Sequence, residues 1–228
     1  MHTDLVFLAA AAGAIFIAGL SKSGFLTGIG AMSVPIMSLA ISPVEAAAIM
    51  LPILIAQDVV SLWFYRNDFD RANLKILMPA AIVGIGIGWL TAAYVSADAV
   101  RLIVGLIGLW FSLDYWLQLR PQQPTQRSLV AGSVWGTVAG FTSFVSHSGG
   151  PPYQIYMMPQ RLSPMLFAGT SVMFFAAVNA LKLVPYYLLG QFDWSNLSTS
   201  LMLVPFAPIG VVVGIWMVRR IPAAPFYR

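Results

Sequence analysis

The chain contains no cysteine, which excludes disulfides and thiolate metal sites and leaves the redox state of its compartment unread. Charge is also scarce, at 9% of residues. A soluble domain of 228 residues needs far more polar surface than this, so lipid must solvate most of the chain. Histidine occurs only as His2 and His147, a poor supply for a metal cage, and no metal or cofactor is expected. The amino terminus, Met1-His2-Thr3-Asp4, lacks the positive region of a signal peptide and no clear cleavage site follows, so the first apolar stretch is read as retained. The 12 basic residues exceed the 8 acidic ones. They stand singly at the ends of apolar runs, which makes them topology signals rather than a nucleic-acid footprint.

What the chain has in abundance is apolar sequence: 59% of its residues are hydrophobic and its mean hydropathy is +0.81. Runs of about 20 residues, the length that crosses a hydrocarbon core, fall at 5–21, 44–65, 75–95, 98–118, 128–146, 165–190 and 196–218. Ala18-Gly19 and Ser42-Pro43 recur 121 residues later as Ala139-Gly140 and Ser163-Pro164, and Pro79, Gly84 and Gly88 recur 126 residues later as Pro205, Gly210 and Gly214. Two copies of one unit therefore lie end to end, the usual signature of a secondary transporter. We read 1–118 as the first repeat, 119–127 as a cytoplasmic connecting loop and 128–228 as the second repeat.

Arg66, Arg71 and Lys75 mark one loop as cytoplasmic, and Arg120 and Arg127 mark the loop between the copies. In the second copy the loop 190–195 has no basic residue, whereas the next span ends in Arg219-Arg220. The second copy is thus expected to be inverted. Residues 5–42 and 128–162 would then each enter and leave on one side, as hairpins broken at glycine-rich tips that meet near the midplane. The expected fold is an all-α polytopic membrane protein of two inverted repeats, each opening with a broken hairpin helix. The second copy shows no counterpart of the 98–118 span: either the sequence lacks a final helix that the protein has, or the protein never had one and a second subunit, as in a homodimer, fills the gap.

The first tip, Ser21-Lys22-Ser23-Gly24 through Gly28, sets an ammonium among hydroxyls and close-packed backbone. Lysine inside an apolar stretch is costly. Its functional reading is an anion site built with backbone N–H groups, and its bland reading is a side chain snorkelling to the headgroups. In the second tip, His147, Ser148, Gly149 and Gly150 precede Pro151-Pro152. His147 could bind an anion as imidazolium, pass a proton, or be a hydrogen-bonded structural residue. Asp58 lies in mid-span, Asn179 is its counterpart 121 residues on, and Lys182 follows one turn later. These three should line the interior with polar partners, either as a pathway for coupling or as a structural ion pair. Whether Asp58 pairs with Lys182 stays open.

Other polar residues carry less. Ser42-Pro43-Val44-Glu45 reads as a capping box. Asp114, Arg101 and Arg161 are boundary residues, Trp63, Trp194 and Trp216 interfacial anchors, and Gly84, Gly86, Gly88, Gly210 and Gly214 surfaces for close helix packing. An intramembrane enzyme is disfavoured, because a pairing of His147 with Ser143 or Ser146 lacks an orienting carboxylate nearby. A passive anion channel would use the same residues as a carrier, and saturable counterflow separates the two.

The segment Gly19-Leu20-Ser21-Lys22-Ser23-Gly24-Phe25, with Gly28, Gly30 and Val34-Pro35, resembles the opening motif of the TauE/SafE-like sulfite exporters, also called the toluene sulfonate uptake permease family. The second-half motif of that family resembles His147 through Pro152, then Tyr156, Pro159-Gln160, Gly169-Thr170, Phe174-Phe175, Asn179 and Lys182. The resemblance implies a multi-pass protein of a prokaryotic cytoplasmic membrane. It also implies cargo of small sulfur oxyanions or organosulfonates, moved by alternating access, with the two glycine-rich motifs forming the site. Members generally complete the second copy with one more span, which this sequence does not show.

Overall fold

The computed structural model describes residues 5–24, 28–92 and 124–220, with scattered positions between 94 and 117. All regular structure among them is helical. The first half holds α1 (Leu5–Lys22), a 3-10 turn (Ile29–Met32), α2 (Ser33–Met37), α3 (Pro43–Tyr65) and α4 (Arg71–Thr91). The second holds α5 (Leu129–Ser146), α6 (Gly150–Met157), a 3-10 turn (Met158–Gln160), α7 (Pro164–Leu188), α8 (Trp194–Leu203), a 3-10 turn (Val204–Phe206) and α9 (Ala207–Val218). Among the described residues five stretches are long and apolar enough to cross a membrane: α3, α4, α5, α7, and α8 through α9 as the continuous run Trp194–Val218. The chain is an all-α, multi-pass membrane protein. The expected span at 98–118 lies largely outside the described residues, and so do His2, Arg101, Asp114 and Arg120.

Helices begin where a side chain can take up their first amides. The Glu45 amide donates to Ser42 Oγ at 3.2 Å, Leu166 N to Ser163 Oγ at 3.3 Å and Ala131 N to Ser128 Oγ at 3.3 Å. Hydropathy alone starts the next spans at 75 and 196, whereas α4 starts at Arg71 and α8 at Trp194. The cause is an aspartate at each N-cap. Asp70 Oδ1 accepts from Ala72 N and Asn73 N, and Asp193 Oδ1 accepts from Asn196 N at 2.8 Å.

The helices pack crosswise between the halves, α1 on α9 and α5 on α4. Small residues permit this closeness, since lipid supplies no hydrophobic force between helices. A Cβ on Gly84 would run into the carbonyl of Thr137, and one on Gly210 into that of Phe16. Thr137 and Phe16 stand 121 residues apart, so the same contact occurs twice. Two hydrogen bonds repeat likewise: Tyr65 Oη donates to the Ser23 carbonyl and Tyr186 Oη to the Phe144 carbonyl, each at 2.7 Å. Gly86, read as another packing glycine, meets nothing.

Helices α3 and α7 run antiparallel. Asn179 touches Asp58, while Gly169, ten residues earlier on α7, is pressed against the backbone of Asp68, ten residues later in the chain. One end of the bundle gathers the basic residues. Arg66 stacks on Trp63 at 4.7 Å, Arg219 on Phe64 at 5.2 Å, and Arg127 Nη2 lies 3.7 Å from Asp70 Oδ2. At the same end Asn73 donates to Gln160 Oε1 at 2.9 Å and accepts from Tyr156 Oη at 2.9 Å, which ties the turn after α6 to the start of α4.

Candidate functional site

Each half contributes a helix that stops inside the bundle. In the first, α1 ends at Lys22, and Gly24 at φ +82° turns the chain away. A left-handed residue is available to glycine at no steric cost, and Ala168 packs so tightly here that a Cβ would not fit. Lys22 therefore sits in the last turn of α1, where the negative end of the helix dipole favours a cation. In the second half α5 ends at Ser146, and the left-handed position falls on His147, at φ 56°. A side chain there is uncommon. Its ring is held at both ends, Nε2 lying 2.9 Å from the Ala47 carbonyl of α3 and Nδ1 2.7 Å from Lys182 Nζ.

A carbonyl can only accept, so Nε2 carries the proton and Nδ1 accepts from Lys182. The ring is then neutral in this arrangement, and neither nitrogen remains for an anion. Lys182, fully buried, places its other two donors on the Ser143 carbonyl at 3.0 Å and Ser143 Oγ at 3.1 Å. That fills the three donors of an ammonium.

Asp58 has the polar partners expected of it, but its ion-pair partner is Lys22 rather than Lys182. Lys22 Nζ lies 2.7 Å from Asp58 Oδ1, and Asn179 Nδ2 donates to Asp58 Oδ2 at 2.7 Å. Both carboxylate oxygens are thereby met, as a charge at membrane depth requires. Lys22 also stands 5.7 Å from the ring centroid of Phe175. Unlike Asp58 behind it, whose side chain is 5% exposed, the Lys22 side chain keeps 11% exposure.

Lys22 opens onto a small cavity of about 40 Å³ between the two helix ends, room for roughly three waters or one four-atom oxyanion. Its polar lining comprises Ser21, Lys22, Ser33, Ser143, His147, Ser171 and Asn179, with Phe175 and Leu54 as apolar walls. The two tips meet directly here, Ser148 Oγ lying 3.3 Å from the Ala31 carbonyl. Several anticipated residues have structural contacts instead. Ser23 Oγ donates to the Leu20 carbonyl at 2.5 Å, Gly28 precedes the first 3-10 turn, and a Cβ on Gly149 would meet the Ala139 carbonyl. Gly150 lines the cavity, but Pro151 and Pro152 after it bring no N–H, so the second tip offers fewer backbone donors than anticipated.

Sequence reasoning does not place Ser143, Ser171 or Phe175 in the site: it weighs Ser143 only as an enzyme nucleophile, Phe175 only as part of the family motif, and Ser171 not at all. The signal for Ser143 was present, for it stands 121 residues after Lys22. Ser171, Phe175 and Asn179 are spaced by four on α7 and so share a face.

An all-helical membrane protein in which two broken helices bring an ion pair and a polar cavity together in the interior belongs to the class of membrane transport proteins. The chain belongs to the TauE/SafE sulfite exporter family, whose sequence model matches residues 11–228. No curated protein and no solved structure matches the chain. The family is one of transporters, which points away from an enzyme.

Proposed function

We propose that the protein is a secondary transporter of small anions, with sulfite or a small organosulfonate as cargo, in the cytoplasmic membrane of a prokaryote. The observation that carries this reading is the cavity: it lies where the two tips meet, is lined by Lys22 and four serines from both halves, and has the size of a small oxyanion. Ser143 Oγ accepts from Lys182 and keeps its own proton to donate. Lys22 and Ser143, separated by 121 residues, would grip the anion from opposite sides.

The two halves are read as inverted copies, 1–118 and 128–228, joined by the loop 119–127. The contacts that recur at the 121-residue interval and the antiparallel course of α3 and α7 support that reading. Rocking one copy against the other would open the cavity to each side in turn. The lipid bilayer surrounds the bundle, and a homodimer is compatible with its broad apolar surface.

The test is counterflow in proteoliposomes loaded with unlabelled sulfite, following entry of radiolabelled sulfite with and without Lys22→Ala. Saturable, exchange-stimulated entry that is lost in the variant supports a carrier with its site at Lys22. Unchanged entry in the variant sinks the site, linear entry without exchange makes the protein a channel, and no entry by the wild type removes sulfite as cargo.

A further inference from the structure

We infer that the anion does not bind beside the Lys22–Asp58 pair but breaks it, and that Asp58 takes up a proton when this happens, so that anion and proton cross the membrane together. The inference rests on the transporter reading above and adds the coupling ion and its residue.

The arrangement of charges leads there. Among the described residues that line the cavity Lys22 carries the one ammonium; Lys182, nearby on α7, is fully buried with its three donors occupied. An anion entering the cavity must therefore take Lys22, whose close contact is with Asp58 Oδ1 at 2.7 Å. Once Lys22 turns to the anion, Asp58 keeps only the amide of Asn179. A carboxylate left with one neutral donor at membrane depth is an uncompensated buried charge, a costly state that a proton removes.

No other described group can take over from Lys22. On α7, Lys182 gives its three donors to Ser143 and His147 and acts on Asp58 only weakly and at longer range, without a direct ion pair. His147, at the end of α5, accepts from Lys182 and donates to Ala47. Helix α9, which also packs on α3, contains no titratable residue, and neither does α2.

Asn179 suits both states of Asp58. Its amide carries a donor and an acceptor, so it donates to the carboxylate as seen and, turned over, accepts from the O–H of the acid. A second aspartate at this position would repel the first, and a lysine would hold it ionised. The step balances: one anion and one proton enter from the same aqueous side, the anion pairing with Lys22 and the proton binding the Asp58 carboxylate. Both leave on the other side as Lys22 returns to the carboxylate.

The test compares sulfite counterflow with accumulation of labelled sulfite into an alkaline lumen, in the same proteoliposomes, for the wild type and Asp58→Asn. The expected result is that the wild type accumulates label and acidifies the lumen. In the variant the ratio of gradient-driven accumulation to counterflow falls to that of protein-free liposomes. Wild-type counterflow that ignores the pH gradient overturns the coupling and leaves the transporter standing. So does a variant that accumulates label as the wild type does. Absence of wild-type counterflow overturns the transport reading and the coupling with it. Should the variant fail to exchange at all, infrared difference spectra of the wild type decide. A carboxylic-acid carbonyl band must rise on sulfite addition, since Asp58 is the buried carboxyl among the described residues, and its absence refutes proton uptake there.

Discussion

Asn179 donates to Asp58 at 2.7 Å across 121 residues of chain, the same interval that separates the recurring sequence motifs. Under the proposed two-copy organisation, a residue that touches its own counterpart must lie on the axis relating the copies. The pair is chemically unequal, carboxylate against amide. Two carboxylates on the axis would repel, and two amides would leave Lys22 without a counter-charge. The asymmetry lets one position carry a proton or a charge while the other only orients it. The counterparts Lys22 and Ser143, which both line the cavity, are chemically unequal as well.

The hydrogen bonds of Tyr65 and Tyr186 predict a matched pair of stability losses. Each phenol holds the carbonyl of the chain near the inner end of a broken helix, Ser23 or Phe144, at 2.7 Å. Phenylalanine keeps the ring and removes the bond. Tyr65→Phe and Tyr186→Phe should each lower stability by about 1 kcal/mol, read as thermal unfolding in detergent. A loss in one variant with none in the other would contradict their equivalence.

Packing predicts a contrast among three glycines of α4 and α9. Gly84 of α4 faces the Thr137 carbonyl and Gly210 of α9 the Phe16 carbonyl, and neither site has space for a methyl group. Gly84→Ala and Gly210→Ala should therefore each cost about 1–3 kcal/mol through forced separation of the helices. Gly86→Ala meets nothing within 4 Å and should be neutral, or stabilising by up to about 1 kcal/mol from helix propensity. The same unfolding assay ranks the three, and a destabilised Gly86→Ala would refute the packing described.

The apolar runs, the two breaks and the caps were legible in the sequence because each is a local matter of hydropathy, glycine or a side chain beside an amide. Ser42 with Glu45 is an example. Span starts were missed by a few residues at Asp70 and Asp193, where hydropathy counted the charged first turn as loop. Partners were not legible. Lys22 and Asp58 stand on different helices, and periodicity tells which face a residue occupies but not which helix lies opposite. The neutral, doubly held ring of His147 was hidden for the same reason, since its state follows from Ala47 and Lys182, far away in sequence. The 121-residue interval points to Ser143, the place of Lys22 carried into the second half, but sequence reasoning weighs Ser143 only as an enzyme nucleophile.

Inversion of the copies predicts opposite sides for two equivalent loops, and the absence of native cysteine makes the chain ready for labelling. Asn67 lies between α3 and α4, and Ser195 in the first turn of α8 after α7; both are exposed. Parallel copies would place them on the same face of the membrane. Because α3 and α7 run antiparallel, with Gly169 at Asp68, the inverted arrangement sets them on opposite faces. The basic residues gathered around Arg66, Arg127 and Arg219 assign the Asn67 side to the cytoplasm. In intact cells a membrane-impermeant maleimide should therefore label Ser195→Cys at once, and Asn67→Cys and Gln126→Cys only after permeabilisation. Labelling of Asn67→Cys and Ser195→Cys from one side would make the copies parallel. Alternating access by rocking of inverted halves would then lose its structural basis.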